Sequence, residues 1–454
     1  MKSLTYILIY FFLPTVTFGQ YIAGRVTDSN TGKPIKDVHI YIDSVEEGTK
    51  TFSNGKFQIK FTEDVPQTAK IHFSHVSYKS IQIDFDRNKR TYKVVLNPRV
   101  NELKEVRIAQ NRQLKPYLTF KKMKSMRSRL HGFGSALIGD KIYVVGGNAS
   151  FQHNGAKETL YRLENSELSQ LSLDQFLRYS YTNFRTDFFK GDLHVYNITM
   201  DSWERQKDVF KKRAYHNIFH YQNKLYVLGG IHLSLNKRKE YLDNTIEIFD
   251  LETGKTIVDE TNPHQAANFS SFLVGDELIV LGGSTRKNKN GTKNYSDEVH
   301  LYKISEGYWY KVDSMPTAKE SSGIRVNDKI YLIGGFNEKP LAGIEQFDIN
   351  TRKWENIGSM FFGISNPALA YHNDIIYIYN NDKFLTLNIK TKELNEYFIN
   401  IELQNSEIHI ANNFIYLVGG LRMTEREIAP SSSVYRIAIK DFDTTQIRRS
   451  KILQ

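Results

Sequence analysis

Five ionisable residues have the chemistry for proton transfer: Arg213, His216, His264, Lys319 and Glu320. General acid–base work on a sugar needs only one positioned acid and one positioned base. Two basic loops offer a different chemistry. In "STRKNKNGTKNYSD" (284–297), Arg286, Lys287, Lys289 and Lys293 stand against Asp297. In "IHLSLNKRKEYLDN" (231–244), Lys237, Arg238 and Lys239 stand against Glu240 and Asp243. Together they suit an anionic glycan, a lipid headgroup or an acidic protein segment. As ordinary solvated loop charge they need no ligand. The formal net charge of +11 fits acidic partners but is weak ground for nucleic acid, and none is expected.

Other chemistries fall away. The chain has no cysteine, which excludes disulfides, a lipid-modified cysteine, a cysteine nucleophile and cysteine-ligated zinc. Its 13 histidines are scattered without metal-ligand spacing. No phosphate loop, nucleophile elbow or dinucleotide fingerprint is present. No cofactor, no metal and no assigned catalytic residue is therefore expected.

What positions these residues is a chain of 454 residues with 13% aromatics, a composition that favours strands. Residues 1–19 start with Lys2, continue as an apolar run from Leu4 to Leu13, and reach Thr17 and Gly19. That is the pattern of a secretory signal peptide, leaving Gln20 or Tyr21 as the mature terminus. No later stretch is long and apolar enough to span a bilayer. The expected location is the periplasm, the outer cell envelope or the extracellular space, and the expected state is monomeric.

Residues 20–108 alternate with period two. Val38, Ile40 and Ile42 share one face of a strand, as do Phe57, Ile59 and Phe61, and Ile81, Ile83 and Phe85. Turn signals at Asn30-Thr31-Gly32, Glu47-Gly48 and Ser53-Asn54-Gly55 separate the strands, which predicts a small β-sandwich. The phrases "GRVTDSNTGKPIKDVHIYI", "GTKTFSNGKFQI", "IHFSHVSYKSIQI" and "VVLNPRVNELKEVRI" follow in an order that resembles the carboxypeptidase-regulatory-like domain. The version it resembles stands at the N-termini of exported Bacteroidetes proteins. The resemblance implies a transthyretin-like accessory sandwich without catalysis.

After a linker at 109–116, residues 117–454 repeat themselves. "KIYVVGG" (141–147), "KLYVLGG" (224–230) and "KIYLIGG" (329–335) are three of six copies of one phrase. A turn residue sits six positions before each glycine pair: Gly146-Gly147, Gly229-Gly230, Gly282-Gly283, Gly334-Gly335 and Gly419-Gly420. The remaining copy carries Asn380-Asn381. A second apolar strand follows each pair, and in three copies Trp203, Trp309 or Trp354 stands six residues past that strand's polar residue. A four-strand unit of this kind is a propeller blade, and the glycine pair with the late Trp resembles the kelch repeat. The fold class expected is therefore all-β: a small β-sandwich followed by a six-bladed kelch β-propeller. The glycines and Trp residues are expected to be structural.

Two segments compete to close the ring: "PYLTFKKMKSM" (116–126), as an N-terminal clasp, and "FDTTQIRRSKI" (442–452). Strand parity puts the loops after the glycine pairs on one face together with the crossovers between blades. These loops vary greatly in length, and the one at 148–191 carries a predicted helix over 157–179. Insertions gathered on one face commonly mark a binding face. The expected function is an exported, non-catalytic binding module of the cell envelope. Its loop face would take an anionic glycan or a protein partner through Lys237, Arg238, Lys239, Arg286, Lys287, Lys289 and Lys293, with Arg213 and Glu320 near the crossovers. The alternative is a sugar-processing enzyme resembling kelch-type sialic-acid mutarotases, though no mutarotase motif matches residue by residue.

Overall fold

The computed structural model describes residues 20–98 and 114–453, except 44, 46–47, 62–64, 76, 163–169, 171, 180–183, 186–188, 238, 289–291 and 425. Residues 1–19, read from the sequence as a signal peptide, and most of the linker expected at 109–116 lie outside the described residues. The chain divides into two compact units, Met1–Val106 and Arg107–Gln454.

The first unit is a two-sheet sandwich. One sheet runs Lys56–Phe61, Gln20–Asp28, Thr91–Leu96; the other runs Thr49–Lys50, His39–Ile42, Lys70–His75, Tyr78–Asp84. Alternation decides which side chains go in. Phe57, Ile59 and Phe61 are buried while Lys56, Gln58 and Lys60 are exposed. These residues close on Val26, Ile40, Ile71 and Phe73 in one core. The tight turn after Gln20–Asp28 is held by Asp28, whose carboxylate accepts from the Asn30 and Thr31 amides at 2.8 and 2.7 Å and from the Tyr78 hydroxyl at 2.8 Å.

The second unit is a six-bladed propeller. The innermost strands are Gly134–Ile138, Asn217–Tyr221, Ser270–Val274, Gly323–Val326, Ala368–His372 and Glu407–Ala411. Each neighbours the next, and the sixth returns to the first. Outward from each, the second strand ends at the repeat phrase. In the fifth blade the second and third strands run together as Ile375–Asn388. Its first half pairs with Ala368–His372 and its second with Glu393–Leu403, because only two residues (382–383) separate them.

Both termini of this unit are used. Lys121–Lys122 pairs with Tyr435 and Arg436 as the outermost strand of the sixth blade. The N-terminal segment is thus the clasp. Arg449–Ile452 instead adds a strand outside the fifth blade, against Glu393–Glu396.

The glycine pairs stitch the blades together. The amide of each second glycine donates to a carbonyl of the next blade's crossover: Gly147 to Arg213 (2.9 Å), Gly230 to Ala266 (2.8 Å), Gly283 to Lys319 (2.8 Å), Gly335 to Ile364 (2.9 Å) and Gly420 to Leu130 (3.0 Å). The approach leaves no room for a side chain. A Cβ on Gly230, where φ is +80°, would lie 2.6 Å from the Ala214 carbonyl oxygen. In the fifth blade Asn381 takes the positive-φ position (56°). There the Tyr379 hydroxyl does the stitching: it donates to the Ile401 carbonyl (2.9 Å) and accepts from the Leu403 amide (3.3 Å). The Trp residues are half-buried in the seams between blades. Trp203 packs on Tyr196 with ring centroids 5.0 Å apart, in a cluster that includes Met123 and Met126 beside the clasp and Val418 of the sixth blade.

The insertion in the first blade differs from the single helix predicted over 157–179. Among the described residues it holds two helices, Gly155–Arg162 and Leu173–Tyr179. The second starts at a capping box: the Gln175 amide donates to Ser172 Oγ (3.2 Å) and the Ser172 amide to Gln175 Oε1 (2.9 Å). Such reciprocal caps fix a helix start, so Leu173–Tyr179 begins as a helix of its own.

Gly230→Ala should lower stability by about 2 kcal/mol or more, through steric clash and positive-φ strain. Asn381→Gly should leave it unchanged or raise it by up to about 1 kcal/mol, because glycine pays no αL penalty. Denaturant melts of the two variants check the pair.

Candidate functional site

Fourteen residues before the first residue of each pair stand Gly132, Tyr215, Asn268, Asn366 and Asn405. The fourth blade is one residue shorter here and places Ser321. These positions ring the channel on the loop face. Three backbone links run along the ring: the Tyr215 amide donates to Gly132 O (2.6 Å), Asn268 to Tyr215 O (3.1 Å) and Ser321 to Asn268 O (3.0 Å). Above the ring lies a depression of about 660 Å³ whose walls include Tyr241, Leu242, Thr285, Lys293, Glu320 and Phe336. Below it the channel holds a second space of about 180 Å³. Tyr215, Asn268, Asn366 and Asn405 line both.

The basic loops fold into hairpins, Ile231–Leu233 with Glu240–Leu242 and Ser284–Lys287 with Lys293–Tyr295. They follow the glycine pairs of consecutive blades and stand on one face. Lys293, however, is not offered to an anion. Its Nζ lies 2.6 Å from Glu320 Oε1, and Glu320 is buried. Lys237 stands at positive φ in its turn, and Lys239 is exposed. Arg238 and Lys289 lie outside the described residues, and of Arg286 and Lys287 only the strand backbone is described. The charged walls of the depression are Glu240, Glu320 and Lys293, a set that does not favour an anionic ligand.

The candidate acid–base residues do other work. Arg213, expected beside a ligand, is fully buried. Its guanidinium donates to Glu247 Oε2 (2.5 Å), Thr245 Oγ1 (2.8 Å) and Gly229 O (3.2 Å). Lys319 repeats the device in the fourth blade, with Nζ 2.7 Å from Glu345 Oε2. Both cations sit at the crossover residue that accepts the glycine amide, and both glutamates are the second residue of the third-strand phrase "IEIFD" or "IEQFD". A pairing repeated at matched positions belongs to the architecture. Asp243 joins the first cluster. Burial would raise its pKa, yet Arg213, Thr245 and Lys211 together hold it down at about 2. His216 is buried and kept neutral, its pKa pushed down to about 3 by burial and by Arg213. His264 sits 2.8 Å from the Gly282 carbonyl and 2.9 Å from His300. Only Glu320 of the five reaches the depression, and Lys293 holds it.

One group in the channel was not singled out from the sequence. Glu407 stands twelve residues before Gly419, where the other blades carry Gly134, Asn217, Ser270, Ser322 and Ala368. It lines the lower space. Burial pushes its pKa up to about 7. Two residues on, His409 is held neutral by burial, near 4, with Nε2 2.8 Å from Ser135 Oγ. Among the described residues no group of three or more His, Asp or Glu is set to hold a metal.

The loop face carries more than this depression. Phe151–His153 from the first blade's insertion pairs with Glu427–Pro430 from the sixth blade's loop. Phe184–Arg185 and Leu421–Met423 complete a four-stranded sheet that bridges the two blades. Leu160, Leu173, Leu177, Leu235, Tyr241 and Met423 are all exposed in the loops of blades six, one and two.

Known proteins agree with this architecture. Residues 22–108 match the family model of the CarboxypepD_reg-like domain. Residues 181–386 match the KLHDC2/KLHL20/DRC7 Kelch-repeats domain. The chain is thus built from a carboxypeptidase-regulatory-like domain and a kelch-repeat propeller. Human Kelch repeat and BTB domain-containing protein 12 is 24% identical over 178 residues, 36% of this chain and 28% of that protein. Alpha-scruin of Limulus polyphemus is 23% identical over 270 residues, 54% of this chain and 29% of that protein. The chain spans less than a third of the length of these relatives. A solved structure titled "Structure of YjhT" is 12% identical with a TM-score of 0.50, covering 69% of this chain and 99% of that one. At that identity the likeness concerns the fold.

Arg213→Ala should cost about 3–5 kcal/mol, the usual penalty for stranding buried partners of a broken ion pair; thermal melts check this. Glu407 gives a pH signature. Its folded pKa lies above the ordinary value of 4.5, so the unfolded chain releases this proton first as pH rises. Stability is therefore undiminished below about 4.5 and falls as pH rises through about 7. Glu407→Gln should remove that fall, gaining about 1–3 kcal/mol at pH 8 relative to the native chain and little at pH 4.

Proposed function

We propose that this protein is an exported, non-catalytic interaction module whose loop face docks a protein partner across blades six, one and two. The observation that carries the reading is the exposed apolar set Leu160, Leu173, Leu177, Leu235, Tyr241 and Met423, gathered on consecutive blades beside a polar depression. Clustered exposed apolar side chains rimmed by polar groups suit protein interfaces. The architecture fits a binding or interaction role. The small sandwich is an accessory to it.

An anionic glycan is the weaker ligand for this depression, because Lys293 is paired with Glu320. A sugar-processing role is not favoured, since the buried cations that would serve it are locked in repeat-matched ion pairs. The apolar run from Leu4 to Leu13 supports export to the cell envelope.

A photoactivatable side chain in place of Leu177 or Tyr241 should cross-link one and the same protein in intact cells. The same group in place of Met200, in a turn at the opposite face, should not. Adducts at Met200 alone would move the docking surface to the other face. Mass spectrometry of protein from the envelope fraction should find a terminus at Gln20 or Tyr21; an intact Met1 would refute export through a cleaved signal.

A further inference from the structure

The channel beneath the asparagine ring holds one group that carries charge at neutral pH. Of its lining residues only Tyr215, His216 and Glu407 titrate. His216 is kept neutral by burial and by Arg213, and the Tyr215 phenol is pushed up by burial. Glu407 is half-buried, and no described residue donates it a hydrogen bond or an ion pair. Its shift has burial as its sole cause, so no neighbouring charge compensates it. Of the residues that line the space with it, His216 and Tyr215 are held uncharged and the rest do not titrate; His409, two residues on along its strand, is likewise held neutral. Arg213, Asp243, Lys293 and Lys319, by contrast, are all held in ion pairs.

The shape of the space matches this charge. It is about 180 Å³, room for several waters at roughly 30 Å³ each and far more than a bare ion fills. Its entrance is a ring of side chains rich in hydrogen-bonding groups: Asn268, Asn366, Asn405 and Ser321. Glu407 opens the strand Glu407–Ala411, two residues beyond the bend at Asn405, where φ is +49°. A lysine or arginine carries its charged end inward on a long apolar stem. Phe133 and Phe269 line the same space and suit the apolar part of that stem.

We infer that the channel is a subsite for an organic cation, the ammonium or guanidinium of a lysine or arginine side chain presented by the docked partner, with Glu407 as its counter-ion and the asparagine ring as its collar. The inference rests on the reading of the loop face as a docking surface and adds to it the chemistry of the anchor. A partly buried carboxylate without a partner is costly to ionise, and a cation that pairs with it recovers the loss. Binding should therefore tighten as pH rises through the range in which Glu407 ionises.

The test uses butylammonium and butylguanidinium as probes, titrated into the full chain at pH 8, with sodium and calcium for comparison. The readout is the carboxyl carbon resonance of Glu407, assigned by its loss in Glu407→Gln. Both organic cations should move the titration midpoint of that resonance downward, and their affinity should fall at least tenfold in Glu407→Gln and tenfold at pH 5. No effect of either probe, or equal binding to Glu407→Gln, overturns the proposal. A response to calcium alone also overturns it and makes the channel a metal site. The cross-linking at Leu177 and Tyr241 is read separately. If it persists while the probes fail, the docking surface stands without this anchor. If the probes bind but no cross-link forms, the cation subsite stands and the docking surface does not.

Discussion

The propeller depends on one hydrogen bond made five times, from the amide of a second glycine to a carbonyl in the next blade's crossover. A side chain at either glycine would hold the blades apart, so the bond and the residue type require each other. The same bond sets where each crossover lies. Because the crossovers carry Tyr215, Asn268, Asn366 and Asn405 into the channel mouth, the seam that holds the ring together also builds the site. The seam between the fifth and sixth blades reaches a similar end by another route, through the Tyr379 hydroxyl.

Charge is divided between architecture and site. Arg213 with Glu247, Lys319 with Glu345 and Arg449 with Glu396 are buried ion pairs that tie a strand to the segment beside it. Such pairs contribute little net stability over apolar substitutes but are costly to break singly. They favour one arrangement of the crossovers over others. Glu407 has no such role. Its counterparts in the other blades are small or neutral, and a ring of six similar strands does not require a carboxylate there.

Much of the fold was legible because the repeat is periodic. The offset of six between turn residue and glycine pair located the hairpins, and the alternation of Phe57, Ile59 and Phe61 located the sandwich. The site was less legible. Arg213 and Lys319 read as reactive because a lone cation near a crossover has no visible partner, while Glu247 and Glu345 lie 34 and 26 residues away. The basic loops read as a patch because sequence counts charges without pairing them, and Lys293 turned out to face Glu320. A usable signal did exist. Aligning the copies on their glycine pairs puts Glu407 against Gly134, Asn217, Ser270, Ser322 and Ala368, and one acid among small neutral residues marks the exception.

The clasp has a consequence in time. Lys121–Lys122 finds its partner at Tyr435 and Arg436, more than 300 residues further along the chain. During synthesis the first strand must wait, unpaired, until almost the whole propeller has left the ribosome. Blades one to four can form hairpin by hairpin as they emerge, but the circle shuts only at the end, in a step that joins distant segments and is slow for that reason. Until then the nascent protein is an open arc with two free edges, the form most exposed to chaperones and to mispairing.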